Sequence, residues 1–326
     1  MAVTPKKRPD PGRQLIRRRL WMVGLALFLI ADVVLVAMAL NRPAESVPDD
    51  LTSPSVTSSP TSTPEPEPTL AEPQALPTIP IAHPTRILEA RDDALAWRTT
   101  TGPCPGTPAS PERTVDGGAS WKATNATAPT DVVSLQSIMI EGPDVASMVG
   151  QAASDCATSF IRTYVAGDNY ERYPADLGGA WFVNPLDRAI VHSPAGDFPA
   201  PCANVMALAP IDGERAAALC DGQTLHVTTD AAAGWSPPVS VPGAMNLTES
   251  DAGYVIATVS TDPACAGVQL LTLPVEGTAP TPSGCFPTTA EPQSLAGNIA
   301  VSQVSGTMWL WAGDAFVRSA DGGSTW

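Results

Sequence analysis

A nine-residue pattern occurs twice in the chain, as RTVDGGASW at 113–121 and RSADGGSTW at 318–326. The shared core is S/T-x-D-G-G-x-S/T-W, and each position has a local reason. An Asp carboxylate accepts hydrogen bonds from the backbone N–H groups of the turn that follows it. Paired glycines allow the positive φ that a tight strand-to-strand connection needs. The Trp starts the next strand and packs its ring back under the turn. The pattern is a decorated hairpin, with neither a nucleophile nor a metal cage in it. A chain that repeats such a hairpin must pair its strands locally, again and again.

Weaker copies follow from the five-residue step between Asp and aromatic. TTDAAAGW at 228–235 keeps Asp230 and Trp235, and AGDNYERY at 166–173 keeps Asp168 and Tyr173. The anchors Asp116, Asp168, Asp230 and Asp321 lie 52, 62 and 91 residues apart. The last gap is about two units, so an eroded copy is expected near 270–285. Five units of roughly 48 residues result, and periods of 40–50 residues mean a propeller or a solenoid. Short β-like runs agree, among them SLQSIMI (134–140), TLHVTT (224–229), GYVIATV (253–259), TMWLWAG (307–313) and AFVRSA (315–320). Gly, Pro and Asp clusters bound them, and no helical periodicity is evident after residue 41. The expected fold is an all-β propeller over 86–326, of five blades, with six as the alternative.

The rest of the chain is organised differently. Residues 1–19 form a basic tail; seven Lys and Arg precede residue 20 against one acid, Asp10. Leu20–Leu40 is apolar except for Asp32. At about 1.5 Å per residue it spans roughly 30 Å, one hydrocarbon core. The positive-inside rule places the tail in the cytoplasm and everything after residue 41 outside the plasma membrane. The rival reading is a cleaved signal peptide ending near the small residues 37–39, but the apolar run exceeds the usual signal length. Residues 41–85 hold 11 Pro and 13 Ser or Thr, with no apolar periodicity. Such a segment cannot bury a core and reads as a disordered, extended stalk.

From residue 41 onward the net charge is −20, and Lys122 is the single lysine beyond residue 20. That acidity argues against a nucleic-acid partner. Cys104, Cys156, Cys202, Cys220, Cys265 and Cys285 form no C-x-x-C pair, so zinc is a poor reading. Beyond a membrane segment an even count favours disulfides. Of 15 pairings, the sequential one is expected: 104–156 tying neighbouring repeats, 202–220 and 265–285 stapling local hairpins. Six buried thiols are the alternative.

The quoted repeats resemble the BNR, or Asp-box, repeats of the sialidase-like β-propeller superfamily, and the chain is also similar to propellers of the photosystem II stability and assembly factor type. The resemblance covers about 86–326. It implies that the motif is structural, on the turn between a blade's third and fourth strands. The structural residues are then Asp116, Gly117, Gly118, Trp121, Asp168, Tyr173, Asp230, Trp235, Asp321, Gly322, Gly323 and Trp326.

Sialidases of this kind need an arginine triad, a Tyr–Glu nucleophile pair and an F/Y-R-I-P motif; ERYP at 171–174 is only superficially similar. Histidines stand at 83, 192 and 226, without H-x-H or H-E-x-x-H spacing. His83 falls in the stalk and His226 in a strand. Trp309 and Trp311 point to one strand face, as core or as a stacking platform. No catalytic, cofactor or metal residue is assigned. The expected role is a membrane-anchored binding or scaffolding module of the bacterial envelope, with an unknown protein or glycan at the propeller face. A glycoside hydrolase and an assembly factor for a membrane complex are the alternatives. The chain stops where the last blade still lacks an outer strand, so 76–83 or 85–90 is expected beside the 315–320 strand, with Trp326 starting a fourth strand.

Overall fold

The computed structural model describes residues 80–276 and 279–326. The basic tail, the apolar segment 20–40 and most of the stalk lie outside the described residues. No helix among the described residues is long and apolar enough to cross a membrane.

Six antiparallel sheets follow one another along the chain. Blade 1 holds β1 (Arg86–Ala90), β2 (Ala96–Thr100), β3 (Glu112–Thr114) and β4 (Lys122–Ala123). Blade 2 holds β5 (Val132–Ile140), β6 (Ala146–Ala152), β7 (Thr158–Thr163) and β8 (Glu171–Arg172). Blade 3 is β9 (Phe182–Val183), β10 (Ile190–Ser193) and β11 (Gly196–Pro199). Blade 4 is β12 (Val205–Pro210), β13 (Ala216–Cys220), β14 (Thr224–Thr228) and β15 (Val239–Ser240). Blade 5 is β16 (Ala244–Ser250), β17 (Gly253–Ser260), β18 (Gly267–Pro274) and β19 (Thr281–Pro287). Blade 6 is β20 (Ile299–Val304), β21 (Thr307–Ala312) and β22 (Ala315–Ser319). The protein is a six-bladed β-propeller, the second of the two counts that the spacing allowed. Counting Asp anchors passes over blade 3, whose strands are two to four residues long and end in no Asp turn.

Six apolar clusters hold the ring, one per blade interface. Blades 1 and 2 share Trp97, Met148 and Ile161; blades 2 and 3 share Phe160 and Ala180. Trp181 and Val205 join blades 3 and 4, and Leu219 and Ile256 join blades 4 and 5. Leu270 and Leu310 join blades 5 and 6. Leu88, Ala96 and Trp309 close blade 6 on blade 1. The second strand of blade 4 lies between two neighbouring blades and is buried on both faces. That is why β13 (AAALC) is an unbroken buried run rather than an alternating one.

The closing seam corrects the expected strand exchange by 85–90; the other candidate, 76–83, lies partly outside the described residues. β1 pairs with β2 as the inner strand of its own blade, not with β22. Trp326 starts no strand among the described residues. Side chains close the ring instead. Trp309 is fully buried and donates from Nε1 to the Asp92 carbonyl at 3.2 Å. Trp121 meets Phe316 edge-on at 5.0 Å. Arg98 stacks on Trp121 and Trp311 at 4.1 and 4.8 Å, and Arg86 stacks on Trp311 at 4.4 Å. Arg318 reaches across to the Asp93 carbonyl. Cation–π contacts of this kind are individually worth about 0.5–2 kcal/mol, so the seam rests on many small terms.

Candidate functional site: the central channel

The first strand of each blade lines a central cavity of about 780 Å³. All six inner strands run in the same direction, so the channel has a face where they begin and a face where they end. The Asp turns and the disulfides fall on opposite faces. Connections between second and third strands, and from an outer strand to the next inner strand, lie on the beginning face. Connections between third and fourth strands lie on the ending face.

Three disulfides form: Cys104–Cys156, Cys202–Cys220 and Cys265–Cys285. The first joins the loop after β2 to the loop after β6, and so ties blade 1 to blade 2. Cys220 ends β13 and pairs across the ladder with Val205, at the start of β12. Cys285 pairs with Gln269 near the start of β18. All three therefore brace the beginning face.

Residues 80–85, the last of the expected stalk, contact that face. The Thr85 N–H and Oγ1 both donate to the Gly297 carbonyl, at 2.7 and 2.9 Å. His83 lines the channel, with Nε2 3.4 Å from Asn204 Nδ2 of the loop before β12. Burial, then the nearby Arg188 charge, lowers its pKa from the ordinary imidazole value. The Arg188 guanidinium donates through Nε to the Val205 carbonyl at 2.8 Å and through Nη2 to that of Met206 at 3.2 Å.

Near the ending face the wall carries two carboxyl groups, Glu89 on β1 and Glu249 on β16. Neither has an ion-pair partner among the described residues. Burial, reinforced by the Glu249 charge, holds the Glu89 pKa well above the usual carboxylate range. Burial also raises that of Glu249, whose Oε2 accepts from Thr248 Oγ1 at 3.2 Å. A third element, the first half of β5 toward the beginning face, contributes a bulge. The β5–β6 register shifts between Val133 and Ser137. Ser134, at φ 48, is buried with its Oγ unpartnered, and Gln136 Nε2 and Ser137 Oγ are buried and unpartnered too. All three residues line the channel. Orphaned buried polar atoms are rare in folded proteins.

On the ending face, the hairpin residues singled out in the sequence make turns. Asp116 Oδ1 accepts from Thr114 Oγ1 at 2.7 Å and the Ser120 N–H at 2.9 Å. Asp230 accepts likewise from Thr228 Oγ1 and the Gly234 N–H, and Asp321 from Ser319 Oγ and the Thr325 N–H. Gly117, Gly118, Gly322 and Gly323 have φ of 73, 85, 71 and 96°, and Ala231 and Ala232 hold 58 and 71° in their place. Each indole packs on the preceding blade. Trp235 Nε1 donates to the Pro199 carbonyl at 3.3 Å, and Trp326 Nε1 to that of Cys285 at 2.8 Å.

In blade 2 the turn lies three residues before the expected one. Thr163 Oγ1 accepts from the Gly167 N–H at 2.9 Å, as Thr114 Oγ1 does from Gly118. Ala166 and Gly167 carry the positive φ, 56 and 87°. Tyr170 is buried and shares a 2.6 Å hydrogen bond with Thr124 of blade 1. It takes the place of the Trp. Val165 stands where the Asp would be. Asp168 instead accepts from Lys122 Nζ at 2.6 Å on the surface, and Tyr173 donates to Glu171 at 3.1 Å. The connection at 275–280 in blade 5, where an eroded copy was expected, includes residues outside those described.

An Arg–Glu–Tyr grouping does occur, but outside the channel. Arg162 bonds Glu141 at 3.0 Å and Asp176 at 2.6 Å, with Tyr164 and Tyr173 beside it. Its charge is already compensated. His226 is held in β14, Nδ1 3.0 Å from the Ser236 carbonyl. Trp309 and Trp311 both pack in the blade 6–blade 1 seam, as core. Glu89, Glu249 and the Ser134–Ser137 bulge were not singled out in the sequence. The available signal was a charged residue inside an apolar strand, in RILEA and AMNLTES.

No protein-family model and no curated protein matches the chain. Solved structures with some likeness include one described as YCF48 bound to D1 peptide, 16% identical over 79% of this chain and 87% of that one, TM-score 0.31. YCF48 from Cyanidioschyzon merolae is 14% identical over 77% and 86%, TM-score 0.30. A GH74 xyloglucanase from Xanthomonas campestris is 14% identical over 74% of this chain, TM-score 0.30, and the chain spans 37% of its length.

Proposed function

We propose that this protein is a membrane-anchored, extracytoplasmic propeller whose central channel binds a ligand without transforming it, as a binding or scaffolding module of the bacterial envelope. The observation that carries this reading is the channel itself, about 780 Å³ of space lined by the first strands of all six blades. A cavity of that size falls within the range of small-molecule and peptide sites. The three disulfides support an oxidising compartment, and the basic tail before segment 20–40 supports the orientation. If the ligand is a segment of another membrane protein, the module acts in assembly.

The Glu89–Glu249 pair favours one second reading, glycoside hydrolysis, because such enzymes set one carboxyl group as an acid by raising its pKa. Thermal-shift screening of the full chain against envelope glycans and peptides, beside an Ala207→Trp variant that fills the channel, tests both. Ligands that stabilise the parent but not the variant support the binding reading. A screen in which no ligand is sensitive to Ala207→Trp overturns it. Turnover of aryl glycosides, lost in Glu89→Gln, favours the hydrolase.

A further inference from the structure

Blade 2 is incompletely covered where it meets blade 3. Between β8 and β9 the chain makes a short 3-10 turn, Pro174–Gly179, and β9 is two residues long. Part of the blade 2 face is left open as a cleft of about 560 Å³, within the range of small-molecule sites. Strand alternation puts Met139 and Glu141 of β5 and Phe160 and Arg162 of β7 on this face. The ladders align Met139, Ser147 and Arg162 in one row. Asp176 and Gly179 belong to the opposite wall. The cleft shares only Met139 with the channel.

One guanidinium organises the cleft. Arg162 donates through Nε to Ser147 Oγ at 2.8 Å, through Nη2 to Glu141 Oε1 at 3.0 Å and through Nη1 to Asp176 Oδ2 at 2.6 Å. The rings of Phe160, Tyr164 and Tyr173 lie 5.3, 5.8 and 5.4 Å from its central carbon. The Arg162 side chain is thus fixed and 16% exposed, whereas those of Glu141 and Asp176 are 42% and 40% exposed. Each carboxyl group commits one oxygen to Arg162. Glu141 Oε2 and Asp176 Oδ1 accept no hydrogen bond among the described residues. Nη2 carries a second N–H, which has no acceptor among them either. Two acceptors and a donor therefore surround a single guanidinium, so one small ring can reach all three.

Charge narrows the occupant. One guanidinium and two carboxylates leave one net negative charge, which repels an anion. A second cation would sit against a guanidinium that both carboxylates already neutralise. Neutral hydroxyls meet neither obstacle, and a hydroxyl donates and accepts in one atom. Neighbouring hydroxyls on a ring supply both roles, and the ring's C–H face suits the apolar floor of Met139 and Phe160. We infer that the cleft is a subsite for a neutral saccharide ring, with hydroxyls that donate to Glu141 and Asp176 and accept from Arg162. The cleft stands outside the channel, so this inference goes beyond the binding reading above and does not depend on it.

Isothermal titration of the detergent-solubilised full chain tests it with four tetrasaccharides: neutral cellotetraose and chitotetraose, the cationic glucosamine tetramer and anionic tetragalacturonate. At least one neutral tetramer is expected to bind, and more tightly than both charged ones by roughly tenfold. Gly179 supplies a block. A Cβ there meets nothing within 4 Å and its φ lies outside the left-handed region, so Gly179→Trp fills the cleft without backbone strain. That variant should lose the neutral tetramer by roughly tenfold or more. Glu141→Gln keeps an acceptor for Arg162 and replaces a lone-pair oxygen with an amide; it should weaken binding severalfold. Ala207→Trp, which fills the channel, should leave the affinity unchanged.

No binding by either neutral tetramer, or equal binding by a charged one, overturns the inference. Full affinity in both Gly179→Trp and Glu141→Gln overturns the cleft as the site. A capped Gly-Ser-Gly-Ser peptide that binds as tightly as the tetramer overturns the saccharide. Loss of the sugar in Ala207→Trp moves it to the channel, which overturns the cleft and supports the channel reading.

Discussion

At the scale of single residues, two sets of carboxyl groups have opposite consequences for stability. Hydrogen bonds from the Ser120 hydroxyl and N–H and from Thr114 lower the Asp116 pKa to about 2, and those from Ser319 and Thr325 lower that of Asp321 to about 2. A carboxyl group whose folded pKa is depressed adds stability that is present above its unfolded value, 3.8, and is lost as pH falls toward 2. Glu89 is the reverse. Its folded pKa is raised above 4.5, so its contribution is intact below pH 4.5 and is lost as pH rises through the folded value. Melting temperature between pH 2 and 8 should therefore fall at both ends. Asp116→Asn should flatten the acid limb between pH 4 and 2. Glu89→Gln should raise the melting temperature at pH 7.5 and leave it nearly unchanged at pH 4; a lower value at pH 7.5 would contradict the unpaired state of this half-buried group.

At the scale of elements, the turn after β7 keeps its geometry with almost none of its sequence. The Thr163 cap, the positive φ at Ala166 and Gly167, and the aromatic Tyr170 remain, whereas the Asp is gone. A non-glycine residue held in the left-handed region costs about 1–2 kcal/mol. Ala166 is half-buried at φ 56°. Ala166→Gly should therefore stabilise the protein by about 1 kcal/mol in urea unfolding, and no gain would place the strained residue elsewhere. The D-x4-aromatic spacing was matched at Asp168 and Tyr173 because the residue types recur there by accident. The hydroxyl at the first position of the turn is the feature that the backbone actually uses. In blade 2 that hydroxyl is Thr163, and the S/T-x6-aromatic spacing leads to Tyr170.

At the scale of the whole molecule, closure among the described residues rests on side chains rather than on an exchanged strand. Trp309 is shared between blades 6 and 1, and its loss removes the fully buried indole of that seam. Trp309→Ala should cost about 3–5 kcal/mol, more than an indole change on a blade's rim such as Trp235→Ala, in matched denaturant curves. The Cys104–Cys156 bridge spans 52 residues and two blades. In the chain-entropy account a loop of that length contributes about 4 kcal/mol. Cys104→Ser/Cys156→Ser should lower stability by an amount of that order, and a loss well under 1 kcal/mol would show that blade packing alone fixes the beginning face.

The sequence by itself determined the all-β propeller, because a glycine turn recurring with a period near 50 residues leaves local antiparallel meanders as the way to satisfy the backbone. It favoured the sequential disulfides among 15 pairings, and the fold decided them by placing each pair within one meander or between adjacent ones. The tertiary structure decided the rest. Blade 3 is too short to leave a pattern, so the count of six appears only when the ring closes. Glu89, Glu249 and Ser134–Ser137 lie 45 to 160 residues apart, and nothing in a linear chain marks an inner strand as inner. Only the closed ring brings those strands around one axis, removes water from their shared face, and turns three unremarkable segments into a channel.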